Sequence, residues 1–211
     1  MWCDGLKWLF FDVGSTLVNE ERVYLHRMRD ISEATGIAFQ RIFEMEMDLY
    51  RQNLRGDPEL VRRLGIPKPA WYFDEEELYP DTAEVLARLH ESCGIGVIAN
   101  QRPGTAERLE KLGIAEHIDL VIASAEEGVA KPDHRIFLLA LERAGCRPED
   151  AAMVGDRLDN DIRPAKALGI HTVWMKRGYG ALWTAKSDPD IPELTVSSLT
   201  ELLDALMERC N

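Results

Sequence analysis

Apolar positions along the chain fall into two rhythms. Short unbroken runs occur at Leu9-Phe10-Phe11, Ile95-Gly96-Val97-Ile98-Ala99, Leu120-Val121-Ile122-Ala123 and Ala151-Ala152-Met153-Val154, with a mixed run at His171-Thr172-Val173-Trp174. Runs of this length bounded by turn residues read as strands buried on both faces. Between them apolar residues return every three or four positions, as on one face of a helix. Residues 81–92 do so through Val85, Leu86 and Leu89, and residues 132–144 through Ile136, Phe137, Ala140 and Leu141. Residues 105–112 form a shorter helix, and another ends at Leu168. A last helix opens on Ser198-Leu199-Thr200-Glu201, the spacing of a capping box, and buries Leu202, Leu203 and Leu206. Strand and helix alternate, which predicts an α/β fold with a parallel sheet covered on both faces. Leu-Gly-Ile recurs at 64–66, 112–114 and 168–170 as a helix stop, glycine past the end with an apolar residue behind it.

One long stretch departs from this alternation. Residues 20–78 are charged and helical, with little strand signal. Tyr24, Met28 and Ile31 share one face of a first helix closed near Gly36. Phe39, Ile42, Phe43, Met47 and Tyr50 mark a second, and Asp57-Pro58 opens a third that ends at Gly65. The acidic run Asp74–Glu77 reads as a solvated return linker. The division is therefore an α/β core of residues 1–19 and 79–211 around a helical insert of residues 20–78.

Composition narrows the setting. The 211 residues carry 25 basic and 37 acidic side chains, a net charge of −12, which argues against nucleic acid or an anionic membrane as partner. No apolar run approaches the length of a membrane span, and the first residues lack the pattern of a secretory signal. Cys3, Cys93, Cys146 and Cys210 are scattered without a CxxC pair, as expected of reduced thiols in a cytoplasmic protein. The sequence leaves the oligomeric state open.

In a parallel sheet the carboxyl ends of the strands share one edge, and ligands bind there. Four strand ends deliver polar residues to that edge: Asp12 after the first, Asn100-Gln101-Arg102 after the second, Lys131-Pro132 beyond the third, and Gly155-Asp156 with Asp161 after the fourth. Carboxylates gathered at one point repel unless a cation lies among them, and oxygen-only donors suit Mg²⁺. Lys131 adds a point charge able to hold an anionic substrate. Asp12, Lys131 and Asp156 make a candidate phosphoryl site.

Four segments in order, Leu9–Val18, Ile95–Asn100, Lys131-Pro132-Asp133 with Ile136-Phe137, and Val154–Gly169 with Asp156 and Asp161, resemble the four motifs of the haloacid dehalogenase superfamily, in its phosphatase-like branch with a small helical cap. The resemblance spans the whole chain and implies a Rossmann-like fold with residues 20–78 as cap. It implies a Mg²⁺-dependent hydrolase of a small phosphorylated metabolite. Asp12 would be the nucleophile, forming an aspartyl-phosphate, and Lys131 would contact both Asp12 and the transferring group. Asp12, the Gly14 backbone carbonyl, Asp156 and Asp161 would hold Mg²⁺. Asn100, Gln101 and Lys131 would bind substrate.

Two positions depart from that pattern. Phosphatases of the family carry a second aspartate two residues after the nucleophile, which protonates the leaving group; here that residue is Gly14. The second motif ends in serine or threonine; here Ala99 stands there, with Asn100 following as a partial substitute. General acid–base help is worth about 10²–10⁴ in rate, so losing it slows turnover without abolishing it. Three readings follow: a phosphatase of reduced activity, a catalytically impaired binding or regulatory protein, and a dehalogenase- or phosphonatase-type hydrolase, since those relatives also lack the second aspartate, with Lys68, the only lysine of the insert, as the phosphonatase's Schiff-base candidate. His26 is the candidate replacement acid, set against an ordinary helix-surface role. Arg102 and Arg157 are candidate anion contacts, and Trp71, Tyr72 and Phe73 candidate lining of the entrance.

Overall fold

The computed structural model describes residues 5–209; Cys3 and Cys210 lie outside them, and Cys93 and Cys146 are free thiols. The chain runs β1 (Trp8–Phe11), β2 (Val18–Asn19), α1 (Glu21–Thr35), α2 (Phe39–Arg51), α3 (Gly56–Leu64), β3 (Glu77–Leu78), α4 (Thr82–His90), β4 (Gly94–Ala99), α5 (Thr105–Lys111), β5 (Leu120–Ala123), α6 (Ser124–Glu127), α7 (His134–Ala144), β6 (Ala151–Gly155), α8 (Arg163–Ala167), β7 (His171–Met175), β8 (Leu194–Val196) and α9 (Leu199–Arg209). Six strands form one parallel sheet in the order β5-β4-β1-β6-β7-β8.

β1 lies between β4 and β6, so neither edge is open, and helices cover both of its faces. Leu9, Phe10 and Phe11 are all fully buried, which is why that run is continuously apolar. Their side chains still alternate. Leu9 and Phe11 pack in one core with Val85, Leu86 and Leu89 of α4 and Leu199, Leu202 and Leu206 of α9. Phe10 packs in the opposite layer with Ile136, Phe137 and Ala140 of α7 and Ala165 of α8. Each such side chain stabilises the fold by about 1.5–3 kcal/mol, so β1 is held firmly from both sides.

The Leu-Gly-Ile stops share one geometry. Gly65, Gly113 and Gly169 all take positive φ, and the amides of Ile66, Ile114 and Ile170 donate to the carbonyls of Val61, Leu109 and Ala165. Each is the reverse hydrogen bond that closes a helix on a left-handed residue. At the other end of α9, Ser198 Oγ accepts from the Glu201 amide as the capping box requires, but the Glu201 carboxylate turns to the amide and hydroxyl of Ser197.

Helices α1, α2 and α3 are inserted between β2 and β3, which pair antiparallel as a separate two-stranded ribbon, Val18 opposite Leu78 and Asn19 opposite Glu77. Their apolar faces form a third cluster that also takes in Leu158, Ile162, Trp174 and Trp183 from beneath the sheet edge. Asn53, at positive φ, exchanges two hydrogen bonds with the Thr184 backbone and fastens the loop after α2 to the far side. Asp57 does not cap α3. It sits in the first turn, and its carboxylate instead meets the fully buried Arg27 guanidinium of α1 at 2.6 Å. Nor is the acidic run merely solvated: Glu76 is buried and pairs with Arg108 at 2.9 Å.

Candidate active site

The carboxyl ends of β1, β4, β5 and β6 open on a cavity of about 420 Å³ beneath the helical insert. Asp12 stands at its floor. Its amide donates to the Val154 carbonyl, extending the β1–β6 ladder by one residue and fixing where the side chain begins. The chain then doubles back: the Ser15 amide donates to Val18, and the amides of Leu17 and Val18 donate to Val13, with Ser15 held at φ 54°. This turn leads straight into β2.

Lys131 reaches Asp12 across the site. Its ammonium lies 2.8 Å from Asp12 Oδ1 and 2.6 Å from Asp161 Oδ1, with its side chain essentially inaccessible. Burial works against the ammonium's charge, but the two carboxylates outweigh it and raise its pKa. Asn100 sets where Lys131 stands. Its side-chain amide donates to the Lys131 carbonyl at 2.8 Å and its oxygen accepts from the Lys131 amide at 2.7 Å. Asn100 thus clamps Lys131's backbone rather than simply replacing a missing hydroxyl. Gln101 lines the cavity too, but its side-chain oxygen is taken by Arg108 at 2.6 Å.

Asp156 follows β6, and Asp161 sits in a π-turn over Leu158–Ile162 that runs into α8. Oxygens of Asp12, Asp156 and Asp161 come within 4.8 Å of one another. Asp161 is fully buried, and its second oxygen accepts from the Arg157 amide at 3.0 Å. Burial, then Asp12 and Asp161, push the Asp156 carboxyl well up; burial pushes Asp161 to about 6, against the pull of Lys131. Three converging carboxylates with a single ammonium are short of positive charge, and all their donors are oxygen. The group fits a small hard dication such as Mg²⁺, held by Asp12 and Asp156 with Asp161 beside them.

Gly14 is where the sequence left a gap, and the gap is filled. A β-carbon on residue 14 would stand 2.5 and 2.6 Å from the two carboxylate oxygens of Glu20. Glu20 lines the same cavity as Asp12 while only 6% exposed. Burial, then Glu76 and Asp12, push its carboxyl to about 8. Sequence reasoning missed Glu20; the available signal was an acid directly after β2, six residues from a glycine in the nucleophile loop. Gly155 repeats the arrangement, since a β-carbon there would lie 2.4 Å from the Asp161 carboxylate.

The remaining sequence candidates divide. Arg102, Arg157, Lys68, Trp71 and Phe73 line the cavity, joined by Arg27 and Arg55. Arg157 is also paired with Asp159 at 2.5 Å and lies over the Trp183 ring. Tyr72 and His26 are elsewhere: their rings stack at 3.7 Å, Tyr72 donates to Asp30, and His26 binds Glu75 at 2.8 Å. His26 is a tether between α1 and the return loop, not the replacement acid.

The fold agrees with what the chain is similar to. The sequence profile of the haloacid dehalogenase-like hydrolases matches residues 6–169, and the chain belongs to that family. A glyceraldehyde 3-phosphate phosphatase of Methanopyrus kandleri is 34% identical over 200 residues, covering 92% of this chain and 82% of the relative. A phosphoserine phosphatase of Thermus thermophilus is 37% identical over 153 residues, 70% of this chain and 58% of the relative. Among solved structures, the HAD-hydrolase YfnB of Bacillus subtilis superposes with a TM-score of 0.72 at 20% identity, covering 95% of this chain and 98% of that one, a likeness of fold.

Proposed function

We propose that this hydrolase is a Mg²⁺-dependent phosphatase acting on a small phosphorylated metabolite. The observation that carries the reading is Lys131 bridging Asp12 and Asp161 at the floor of the cavity, with Asp156 beside them. Asp12 is the nucleophile: its free carboxylate oxygen attacks phosphorus, the ester oxygen leaves, and an aspartyl-phosphate forms on Asp12. Lys131 holds Asp12 in place through their 2.8 Å ion pair and offers its ammonium to the phosphoryl oxygens. Asp12, Asp156, the Gly14 carbonyl and Asp161 hold the Mg²⁺, which supplies positive charge to the phosphoryl group in transfer. Asn100 acts through its clamp on Lys131, and Gln101 through its hold on Arg108. Residues 20–78 act as the cap and exclude water from the site.

Two kinds of support concern the substrate. The relatives named above act on glyceraldehyde 3-phosphate and phosphoserine, small compounds in both cases. The cavity gathers Arg55, Lys68 and Arg102, all exposed, on a protein of net charge −12, which suits a substrate carrying anionic charge. No helix among the described residues is long and apolar enough to cross a membrane, which accords with a cytoplasmic setting. The test is the rate of phosphate release from a panel of phosphomonoesters with and without Mg²⁺. Asp12→Asn is expected to reduce the Mg²⁺-dependent rate to background; an unchanged rate overturns the assignment.

A further inference from the structure

Ester cleavage at phosphorus requires a proton twice. The departing alkoxide is a strong base and must be protonated as it leaves, and the water that clears the aspartyl-phosphate must lose a proton as it attacks. Granting the phosphatase reading, the question is which side chain of this chain carries that proton. Lys131 is held by two carboxylates, and Asp161 is bonded through both oxygens. His26 faces Glu75 and Tyr72, outside the cavity. The guanidinium groups around the cavity keep their protons.

Glu20 also lines the cavity, and its placement is specific. Its carboxyl carbon lies 2.7 Å from where a β-carbon on residue 14 would be, two residues beyond Asp12. It is the last residue before α1, directly after β2 of the ribbon, so it is anchored to the core side of the insert. Tyr24, one turn on, donates its amide to the Glu20 carbonyl and lines the same cavity, and the Glu76–Arg108 pair stands behind. Gly14 and Glu20 read as a matched pair: any side chain at 14 would displace the carboxyl.

We propose that Glu20 is the proton carrier of this site, entering from the head of the helical insert the space that Gly14 leaves open. In the first step Asp12 bonds to phosphorus, the P–O bond to the leaving group breaks with its electron pair, and the leaving oxygen takes the Glu20 proton. In the second, Glu20 takes a proton from water as its oxygen attacks phosphorus, and the bond to Asp12 breaks. Ester and water enter, alcohol and phosphate leave, and Glu20 is restored.

The experiment compares the Mg²⁺-loaded wild type and Glu20→Gln on p-nitrophenyl phosphate, whose leaving group needs no proton, and on the best alkyl ester of the panel. Glu20→Gln is expected to lose about 10²–10⁴ in kcat on the alkyl ester, with KM changing far less. On the nitrophenyl ester it is expected to release a burst of one nitrophenolate per site and then turn over slowly, because the second step is still unaided. The exchange Gly14→Asp with Glu20→Gly is expected to recover at least about tenfold over Glu20→Gly alone, whereas Gly14→Asp alone, forced against Glu20, is expected to lose activity. Wild-type rates in Glu20→Gln, or equal losses on both esters without a burst, overturn the assignment while the phosphatase reading stands. A wild type inert toward both esters overturns that reading, and the inference falls with it.

Discussion

Gly14 and Gly155 show how a missing β-carbon builds a site. One lies just past the end of β1 and the other closes β6, and each is answered six residues later by an acid whose carboxylate occupies the space a side chain would need. Gly155→Ala would set a methyl group 2.4 Å from Asp161, which cannot give way without releasing Lys131. We expect a loss of about 1–3 kcal/mol in stability together with most of the Mg²⁺-dependent activity. Gly5→Ala, with nothing near its β-position, is the control that should leave both unchanged in melts and rate assays. Lys131→Met strands Asp12 and Asp161 without their cation, and breaking a buried pair costs about 3–5 kcal/mol. Thermal melts should show that loss in metal-free protein and partial recovery with Mg²⁺; an unchanged melting point would mean the pair is not formed. The sequence showed Asp12, Lys131, Asp156 and Asp161 because each lies beyond the end of a sheet strand, the last two beyond the same one. It did not show Glu20, because only the turn after Val13 brings residue 20 back to residue 14.

At the level of elements, long periodic segments were legible and short ones were not. Strands β1, β4, β5, β6 and β7 and the major helices stand out by apolar rhythm, and their stops by glycine. β2, β3 and β8 have two or three residues each, too few for a period to register. Glu76 defeated the reading of its acidic run because its partner Arg108 belongs to α5, far along the chain. The insert also holds a buried acid that makes no side-chain hydrogen bond among the described residues. Glu46 of α2 is fully buried, neither oxygen is hydrogen-bonded, and burial, then Asp57, push its carboxyl from the ordinary 4.5 to about 8. Arg27, Tyr50 and Tyr179 are the other ionisable groups bearing on it. The sign follows directly. Between those two values the unfolded chain has lost the proton and the folded one keeps it, so stability falls as pH rises across that window, by at most about 1.4 kcal/mol per pH unit. Glu46→Gln should flatten that slope in denaturant titrations at about pH 5, 6.5 and 8 and raise stability most at the highest. A slope unaltered by the substitution would show that Glu46 does not hold its proton in the fold.

For the molecule as a whole, sheet topology turns distant residues into neighbours. Because β1 is central, residues from β4, β5 and β6 meet around Asp12, and the insert hung on the β2–β3 ribbon closes the opposite side. A dication bound only by the folded state stabilises it by about 2.7 kcal/mol at a hundred times its dissociation constant. Mg²⁺ should therefore raise the melting point of wild type, and Asp156→Asn should abolish the rise; a rise that survives the substitution would place the ion elsewhere. The central claim is that Asp12 attacks phosphorus. The most direct measurement is mass spectrometry of protein acid-quenched during turnover of p-nitrophenyl phosphate, best done in Glu20→Gln. One added phosphoryl group, mapped to the peptide containing Asp12 and missing from Asp12→Asn, is the predicted result. Turnover without any phosphorylated protein, or with the label on another residue, would contradict it.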